Sequence, residues 1–211
     1  MKRSILMLAC SAVLFAGISF RLRPVPSSDS PTDARRYNHF PSDSCDLDSI
    51  VRIRWVNFSP YTKPGQNPNN LNLVIPDSQI IALLDSLRPY ADGIRTFGTQ
   101  HGLENIPRLA KERGFKVIVG IWLDFESDSA GLAANKAQIA NGIKIIQDGY
   151  ADSVIVGSEV LYRKNLTATK LVQYINQVKA VCAPLNIPVS CADVYYYLVA
   201  NPSVIAACDF V

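Results

Sequence analysis

The stretch Val117-Ile118-Val119-Gly120-Ile121, with its counterpart Val154-Ile155-Val156-Gly157, decides the fold of this chain. Both are short runs of mostly β-branched residues in which apolar and polar positions do not alternate. A strand with this pattern is buried on both faces, as in a parallel sheet that helices cover. The two stretches therefore predict an α/β fold built on a parallel sheet.

Similar runs recur from residue 51 onward, and stretches with helical spacing of apolar residues separate them. The predicted strands are Val51 to Phe58, Gly93 to Gly98, Lys116 to Leu123, Ser153 to Glu159, Pro188 to Ala192, and a sixth that begins near Cys208. The predicted helices follow Pro76, run from about Leu103 to Arg113, extend from about Leu132 to Ile146, and start at Thr167. Closed barrels and doubly wound sheets share this alternation.

The turn after the first strand argues against a dinucleotide-binding sheet. Such a sheet normally has a Gly-rich turn there, whereas this chain has Ser59-Pro60-Tyr61-Thr62-Lys63-Pro64-Gly65. We therefore favour the (β/α)8 barrel of TIM type. Because the chain has 211 residues and a complete barrel usually needs roughly 250, we expect a barrel truncated after about five and a half β/α units.

The composition is that of a globular protein, with 48% hydrophobic and 18% charged residues. No basic stripe with interleaved aromatic residues occurs, so no nucleic-acid partner is expected. The spacing of the cysteines matches no metal or redox motif, so we predict no metal site and no cofactor. Disulfides stay open, because an oxidising compartment would permit them. The cysteines are Cys10, Cys45, Cys182, Cys191 and Cys208.

The N-terminal residues have an export pattern. Lys2 and Arg3 precede an apolar run over residues 4–20, which fits either a signal peptide or an uncleaved membrane anchor. We assign residues 1–23 to this segment, residues 24–48 to a linker or arm, and residues 49–211 to the incomplete barrel domain. The protein is then expected to be secreted, periplasmic or anchored in a membrane and facing outward.

Candidate site residues lie where the predicted strands end, because active sites of β/α barrels form at the C-terminal ends of the strands. Aromatic rings stack on the C–H faces of sugars and carboxylates bind hydroxyl groups, so these residues predict a sugar site rather than a phosphate site. The predicted substrate contacts are Tyr61, Arg95, Phe97, Trp122, Ser158, Asp193 and Tyr195. One of the three residues 195–197 is expected to contact ligand and the other two to pack inside.

Glu159 is the predicted catalytic residue. It ends an apolar strand, where partial removal from water would raise the pKa of its carboxyl group, as a glycosidic general acid requires. The alternative is a residue that caps the next turn or pairs with an arginine. Arg95 is expected to orient a catalytic carboxylate, whereas Trp122 and Tyr61 could each be a sugar platform or a core residue. Asp193 could be a solvated loop acid.

Four segments on successive strands carry a family resemblance. They are Val56-Asn57-Phe58-Ser59-Pro60-Tyr61, Ile94-Arg95-Thr96-Phe97, residues 116–122, and Val154-Ile155-Val156-Gly157-Ser158-Glu159-Val160. In this order and spacing they resemble glycoside hydrolase family 17, in particular its bacterial branch, over about residues 51–211. The resemblance implies a (β/α)8 barrel that cleaves or transfers β-1,3-glucan with retention of configuration.

The resemblance also implies which residues act. The family's acid/base Glu follows an Asn on strand four, which maps onto Glu159, with Ser158 in the place of the Asn. Its nucleophile is a Glu on strand seven, to which no residue of this chain maps. We therefore expect the 211-residue chain to be inactive or nearly so by itself. The alternative is a noncatalytic glucan-binding or scaffold barrel, and either protein would have a β-glucan polysaccharide or oligosaccharide as its partner.

Overall fold

Five parallel strands form one sheet in the computed structural model, which describes residues 53–211. The strands are β1 (Ile53–Asn57), β2 (Ala91–Arg95), β3 (Lys116–Ile121), β4 (Ser153–Ser158) and β5 (Val189–Ala192). Each overlaps one of the first five predicted strands. The export segment 1–23, its apolar run 4–20 and the linker 24–48 lie outside the described residues. Between residues 53 and 211, no helix has the length and apolar character needed to cross a membrane.

The strand order is β1-β2-β3-β4-β5, so each strand pairs in parallel with the next one along the chain. In a doubly wound sheet the order would reverse at a switch point. A sequential order with a helix after each strand is that of a (β/α) barrel. The predicted fold class is confirmed, and the described residues supply five of its strands.

Helices connect the strands and cover one side of the sheet. They are α1 (Asp77–Leu87), α2 (Ile106–Lys111), α3 (Ser129–Gln147), α4 (Ala168–Cys182), α5 (Tyr195–Ala200) and α6 (Pro202–Ala207). The four predicted helices correspond to α1 through α4. The predicted N-cap of α4 is confirmed, because the Thr167 side chain accepts a hydrogen bond from the Lys170 backbone N–H.

The sixth strand predicted from Cys208 is not formed in the part of the chain that the structure describes. The residues there make one backbone hydrogen bond to β5, in which the Asp209 N–H donates to the Val189 carbonyl at 2.8 Å. Instead of a ladder, the Asp209 side chain accepts from the Val189 N–H and from Lys179. Side-chain bonds thus take the place of the strand pairing that the apolar pattern predicted.

The core lies between the sheet and its helices, and β1 is at the margin of it. Val117, Val119 and Val154 are fully buried. This burial is what the absence of alternating apolar and polar residues in their strands predicts. On β1, in contrast, Ile53 is 50% exposed and Trp55 41% exposed. Strand β1 has a hydrogen-bonded neighbour on one side only among the described residues. Its apolar flank is therefore an open edge of the sheet.

Gly120 allows β2 and β3 to approach each other closely. A Cβ atom at Gly120 would lie 2.0 Å from the Thr96 carbonyl oxygen, which is far inside van der Waals contact. The Thr96 hydroxyl also accepts a buried hydrogen bond of 2.9 Å from the Gly120 N–H. The β-carbon that every other residue carries would force these two backbones apart.

We predict that Gly120→Ala lowers the free energy of unfolding by about 1–3 kcal/mol, because the backbone of β2 or β3 must shift. Gly98→Ala is the matched control, since a Cβ there would meet its nearest atoms at 3.6 Å, an ordinary contact. Urea unfolding of both variants measures the difference. Equal stability of the two variants would contradict the close approach.

Candidate functional site

Glu159 directly follows β4, so it lies at the C-terminal edge of the sheet as predicted. Its backbone has φ = 55°, the left-handed region, which costs a non-glycine residue about 1–2 kcal/mol. Two backbone hydrogen bonds hold it there: its N–H donates to Ala192 O at 2.7 Å, and its carbonyl accepts from the Arg163 N–H at 2.8 Å. Strain of this kind at a strand end is typical of functional sites.

The prediction that the Glu159 side chain is partly removed from water is wrong for residues 53–211, where that side chain is exposed. The preceding strand is buried through Ser158. The left-handed turn then carries the chain out of the strand at Glu159, and the five-stranded sheet does not close over it. The position at the strand end is as expected, but the desolvation is not.

The structure brings Arg95, Phe97 and Ser158, three of the predicted substrate contacts, close to Glu159, the predicted catalytic residue. The Arg95 Nη2 donates to the Ser158 hydroxyl oxygen at 2.6 Å, and its guanidinium carbon lies 5.0 Å from the centre of the Phe97 ring. Burial lowers the pKa of Arg95, and the negative charge of Glu159 opposes this shift. The buried Nε of Arg95 has no hydrogen-bond partner among the described residues.

Arg163 is a site residue that sequence reasoning missed. Its Nη2 donates to the carbonyl oxygens of Leu123 at 3.0 Å and Ser158 at 2.8 Å, which ties the ends of β3 and β4 together. Burial lowers the pKa of Arg163, and the charges of nearby carboxylates, among them Glu159, oppose that shift. Its place four residues after Glu159, in the loop that leaves β4, was the available signal.

Trp122 is half-buried, and Arg163 covers one face of its ring. The guanidinium carbon lies 4.2 Å from the ring centre, a cation–π contact. A sugar could therefore stack only on the opposite face. Trp122 is thus a partly exposed side chain that anchors Arg163 on one face.

Asp193 makes a structural contact that the sequence did not predict. Its carboxylate accepts from the backbone N–H groups of Leu161 at 2.7 Å, Tyr162 at 3.2 Å and Val194 at 2.8 Å. These bonds fasten the turn after Glu159 to the end of β5. Its oxygens are thus engaged by the protein itself, neither solvated as a loop acid nor held open for a sugar hydroxyl.

The predicted tyrosines lie further out. Tyr61 is half-buried in the loop after β1 and packs against the core, and burial raises the pKa of its phenol. In α5, Tyr195 and Tyr196 are 78% and 65% exposed, whereas Tyr197 packs against the core and against Tyr162, with ring centres 5.9 Å apart. The expectation that two of the three tyrosines pack inside is wrong, because an exposed helix carries them rather than a strand end.

A groove of about 550 Å³ lies elsewhere, between α3 and α4. Ile139, Ile143 and Tyr174 are among its lining residues, and it opens on the helical layer rather than at the strand ends. No group of three or more His, Cys, Asp or Glu side chains within residues 53–211 could hold a metal ion. We assign no residues to a cofactor.

We predict that Asp193→Asn lowers the free energy of unfolding by about 1–3 kcal/mol, because an amide replaces one acceptor oxygen with a donor that faces backbone N–H groups. Asp148→Asn is the control, since Asp148 has an exposed i,i+4 ion pair with Lys144. Thermal and urea unfolding measure both. A stable Asp193→Asn variant would show that this carboxylate does not hold the turn.

Comparison with known proteins gives the following similarities. The model of the BtgE/BtgC glycoside hydrolase domain matches residues 56–211. A glucan 1,3-beta-glucosidase of Saccharomyces cerevisiae is 32% identical over 141 residues, which are 61% of this chain and 44% of that protein. The glucan 1,3-beta-glucosidase BGL2 of Candida albicans is 30% identical over 141 residues, 61% of this chain and 45% of that protein.

Among solved structures, the glycoside hydrolase family 17 beta-1,3-glucanosyltransferase of Rhizomucor miehei is similar, with a TM-score of 0.60 and 25% identity. The similarity covers 74% of this chain and 55% of that one. An active-site mutant of the same enzyme, in complex with laminaritriose, is similar to the same extent. These relatives are fungal, so they do not support the resemblance to the bacterial branch. The chain spans less than half the length of the two glucosidases.

Proposed function

The chain belongs to the BtgE/BtgC glycoside hydrolase domain family, and from this premise we propose that it is part of an enzyme that hydrolyses or transfers β-1,3-glucan. The names of its relatives support this substrate class, since they are glucan 1,3-beta-glucosidases and a beta-1,3-glucanosyltransferase. In this proposal Glu159 is the general acid/base. Hydrolysis and transfer share one intermediate and differ in whether water or a sugar hydroxyl attacks it.

The observation that carries the proposal is the placement of one carboxyl group beside two cations at a strand end. Glu159 lies at the C-terminal edge of the sheet, near enough to Arg95 and Arg163 for its charge to oppose the lowering of their pKa values by burial. Barrel enzymes carry out their chemistry at this edge. The guanidinium groups are held by Ser158 and Leu123 rather than by Glu159 itself, so the carboxyl group is not locked in an ion pair.

The proposed chemistry uses Glu159 twice. Its carboxyl group first donates a proton to the glycosidic oxygen as the C–O bond breaks and a second carboxylate attacks the anomeric carbon. The resulting carboxylate then takes a proton from the incoming water or sugar hydroxyl as that oxygen displaces the enzyme. Retaining enzymes keep the two carboxyl groups roughly 5–5.5 Å apart.

The second carboxylate, the nucleophile, is proposed to come from strand seven, as the resemblance to family 17 implies. The other carboxylates at the described strand ends are engaged already. Asp193 accepts three backbone N–H groups, and Asp124 accepts from the Asn165 amide and the Phe125 N–H. Neither is therefore our candidate for attack on an anomeric carbon.

Ser158 and Arg95 are proposed to bind the sugar next to the bond that breaks. Ser158 replaces the Asn that precedes the acid/base in the family. Because its hydroxyl oxygen accepts from Arg95, its own proton is left to donate to a sugar hydroxyl.

A noncatalytic glucan-binding protein is the second candidate. The exposure of Glu159 and the replacement of the family's Asn by Ser158 favour it. Either candidate would meet its glucan outside the cytoplasm, which agrees with the export segment predicted for residues 1–23.

The test is Glu159→Gln in the protein that contains the whole barrel. We expect turnover of laminarin to fall by about 10²–10⁴-fold, because the leaving oxygen loses its proton donor. An aryl β-glucoside with an acidic phenol as leaving group should lose far less in the glycosylation step, since it needs no protonation. Laminaritriose binding should persist. Glu112→Gln is the matched control, because Glu112 lies on the surface and pairs with Arg108.

Three outcomes would contradict the proposal. Full laminarin turnover by Glu159→Gln would remove the acid/base assignment. Equal losses in the glycosylation step on laminarin and on the activated aryl glucoside would point to a damaged fold rather than to a missing proton. An unmodified protein that binds laminaritriose but never cleaves or transfers glucan would establish the noncatalytic alternative.

A further inference from the structure

Cys191 and Cys208 face each other across the segment that carries α5 and α6. Cys191 is a buried residue of β5, and Cys208 is a partly exposed residue directly after α6. Their sulfur atoms are 3.8 Å apart, within hydrogen-bonding distance. Disulfide sulfurs lie about 2.05 Å apart. Side-chain rotations that move the two sulfur atoms less than 2 Å closer would therefore bring them to bonding distance.

The two thiols differ in a way that suits stepwise oxidation. The hydrogen bond with Cys191 holds the pKa of Cys208 at about 6, burial opposes this, and Ser190 and the charge of Lys179 assist it. The pKa of Cys191 is raised by the same hydrogen bond and by burial. The more exposed Cys208 is thus the thiolate that an external oxidant meets first, and the buried Cys191 is the resolving thiol.

We propose that Cys191 and Cys208 form a disulfide that fastens the end of α6 to β5. The oxidant is a small-molecule or protein disulfide of an oxidising compartment. The Cys208 thiolate attacks one sulfur of this disulfide and expels the other as a thiolate, which leaves a mixed disulfide. Cys191 then loses its proton and displaces the second thiolate, so two electrons pass from the cysteine pair to the oxidant.

The bond would close a loop around residues that hold the candidate site. The loop between the two cysteines contains Asp193, which fastens the turn after Glu159, and Tyr197, which packs against Tyr162. Cys182 gives a natural contrast, because burial raises its pKa to about 11 and it lies inside α4. This inference does not depend on the proposed function, since it concerns only the two thiols and their surroundings.

Peptide mapping of the full chain tests the pairing directly. The chain is incubated in oxidised and reduced glutathione, and its free thiols are then alkylated. Trypsin alone cannot resolve the pairing, because no Lys or Arg follows Lys179, so Cys182, Cys191 and Cys208 share one peptide. Chymotrypsin separates them by cutting after Leu185, Tyr195 and Leu198. We expect residues 186–195 linked to residues 199–210, and Cys182 alkylated.

Stability supplies the second readout. Reduction of the oxidised chain and the variant Cys208→Ser should each lower Tm by at least about 4 °C, because both open the same loop. The control Cys182→Ser should keep the disulfide and its sensitivity to reduction. A bond that joins a different pair, or Cys191 and Cys208 both alkylated under oxidising glutathione, would overturn the proposal. If a variant fails to fold, peptide mapping still tests the proposal, because it uses the chain without substitutions.

Discussion

Two guanidinium groups hold the end of β4, and the position of Glu159 depends on them. Arg95 donates to the side-chain hydroxyl of Ser158, and Arg163 donates to the backbone carbonyl of the same residue. Ser158 is the last residue of the strand, so its neighbour Glu159 begins the turn from a fixed point. These bonds add to the two backbone hydrogen bonds that hold Glu159 in its left-handed conformation.

Burial of these cations is itself unfavourable, and the fold compensates for it in two ways. Burial lowers the pKa of both arginines, and nearby negative charge opposes the shift. Aromatic rings provide the second compensation through cation–π contacts. The Phe97 ring contacts Arg95, and the Trp122 ring contacts Arg163. The aromatic residues that a sugar site calls for thus serve first to keep charge at the strand ends. A substrate would meet a site whose cations are already in place.

The sequence predicted the fold and the placement of Glu159 at a strand end, but not the contacts between the side chains there. Strands in which apolar and polar residues do not alternate, such as residues 116–121, predicted a parallel sheet. The position of Glu159 at the end of such a strand predicted that it lies at the C-terminal edge of the sheet. Arg163 was missed because its partners, the carbonyls of Leu123 and Ser158, become neighbours only through the pairing of β3 with β4. Asp193 was misread for the same reason, since its partners lie in the preceding strand-end turn.

The most direct measurement is a crystal structure of the whole-barrel protein, carrying Glu159→Gln to prevent turnover, with a laminari-oligosaccharide bound. We expect a glucose ring at the C-terminal edge of β4, with the side chain at position 159 about 2.6–3.2 Å from a glycosidic oxygen. Arg95 and Ser158 should contact the adjoining sugar. An oligosaccharide that binds in the groove between α3 and α4, with position 159 left in solvent, would contradict it.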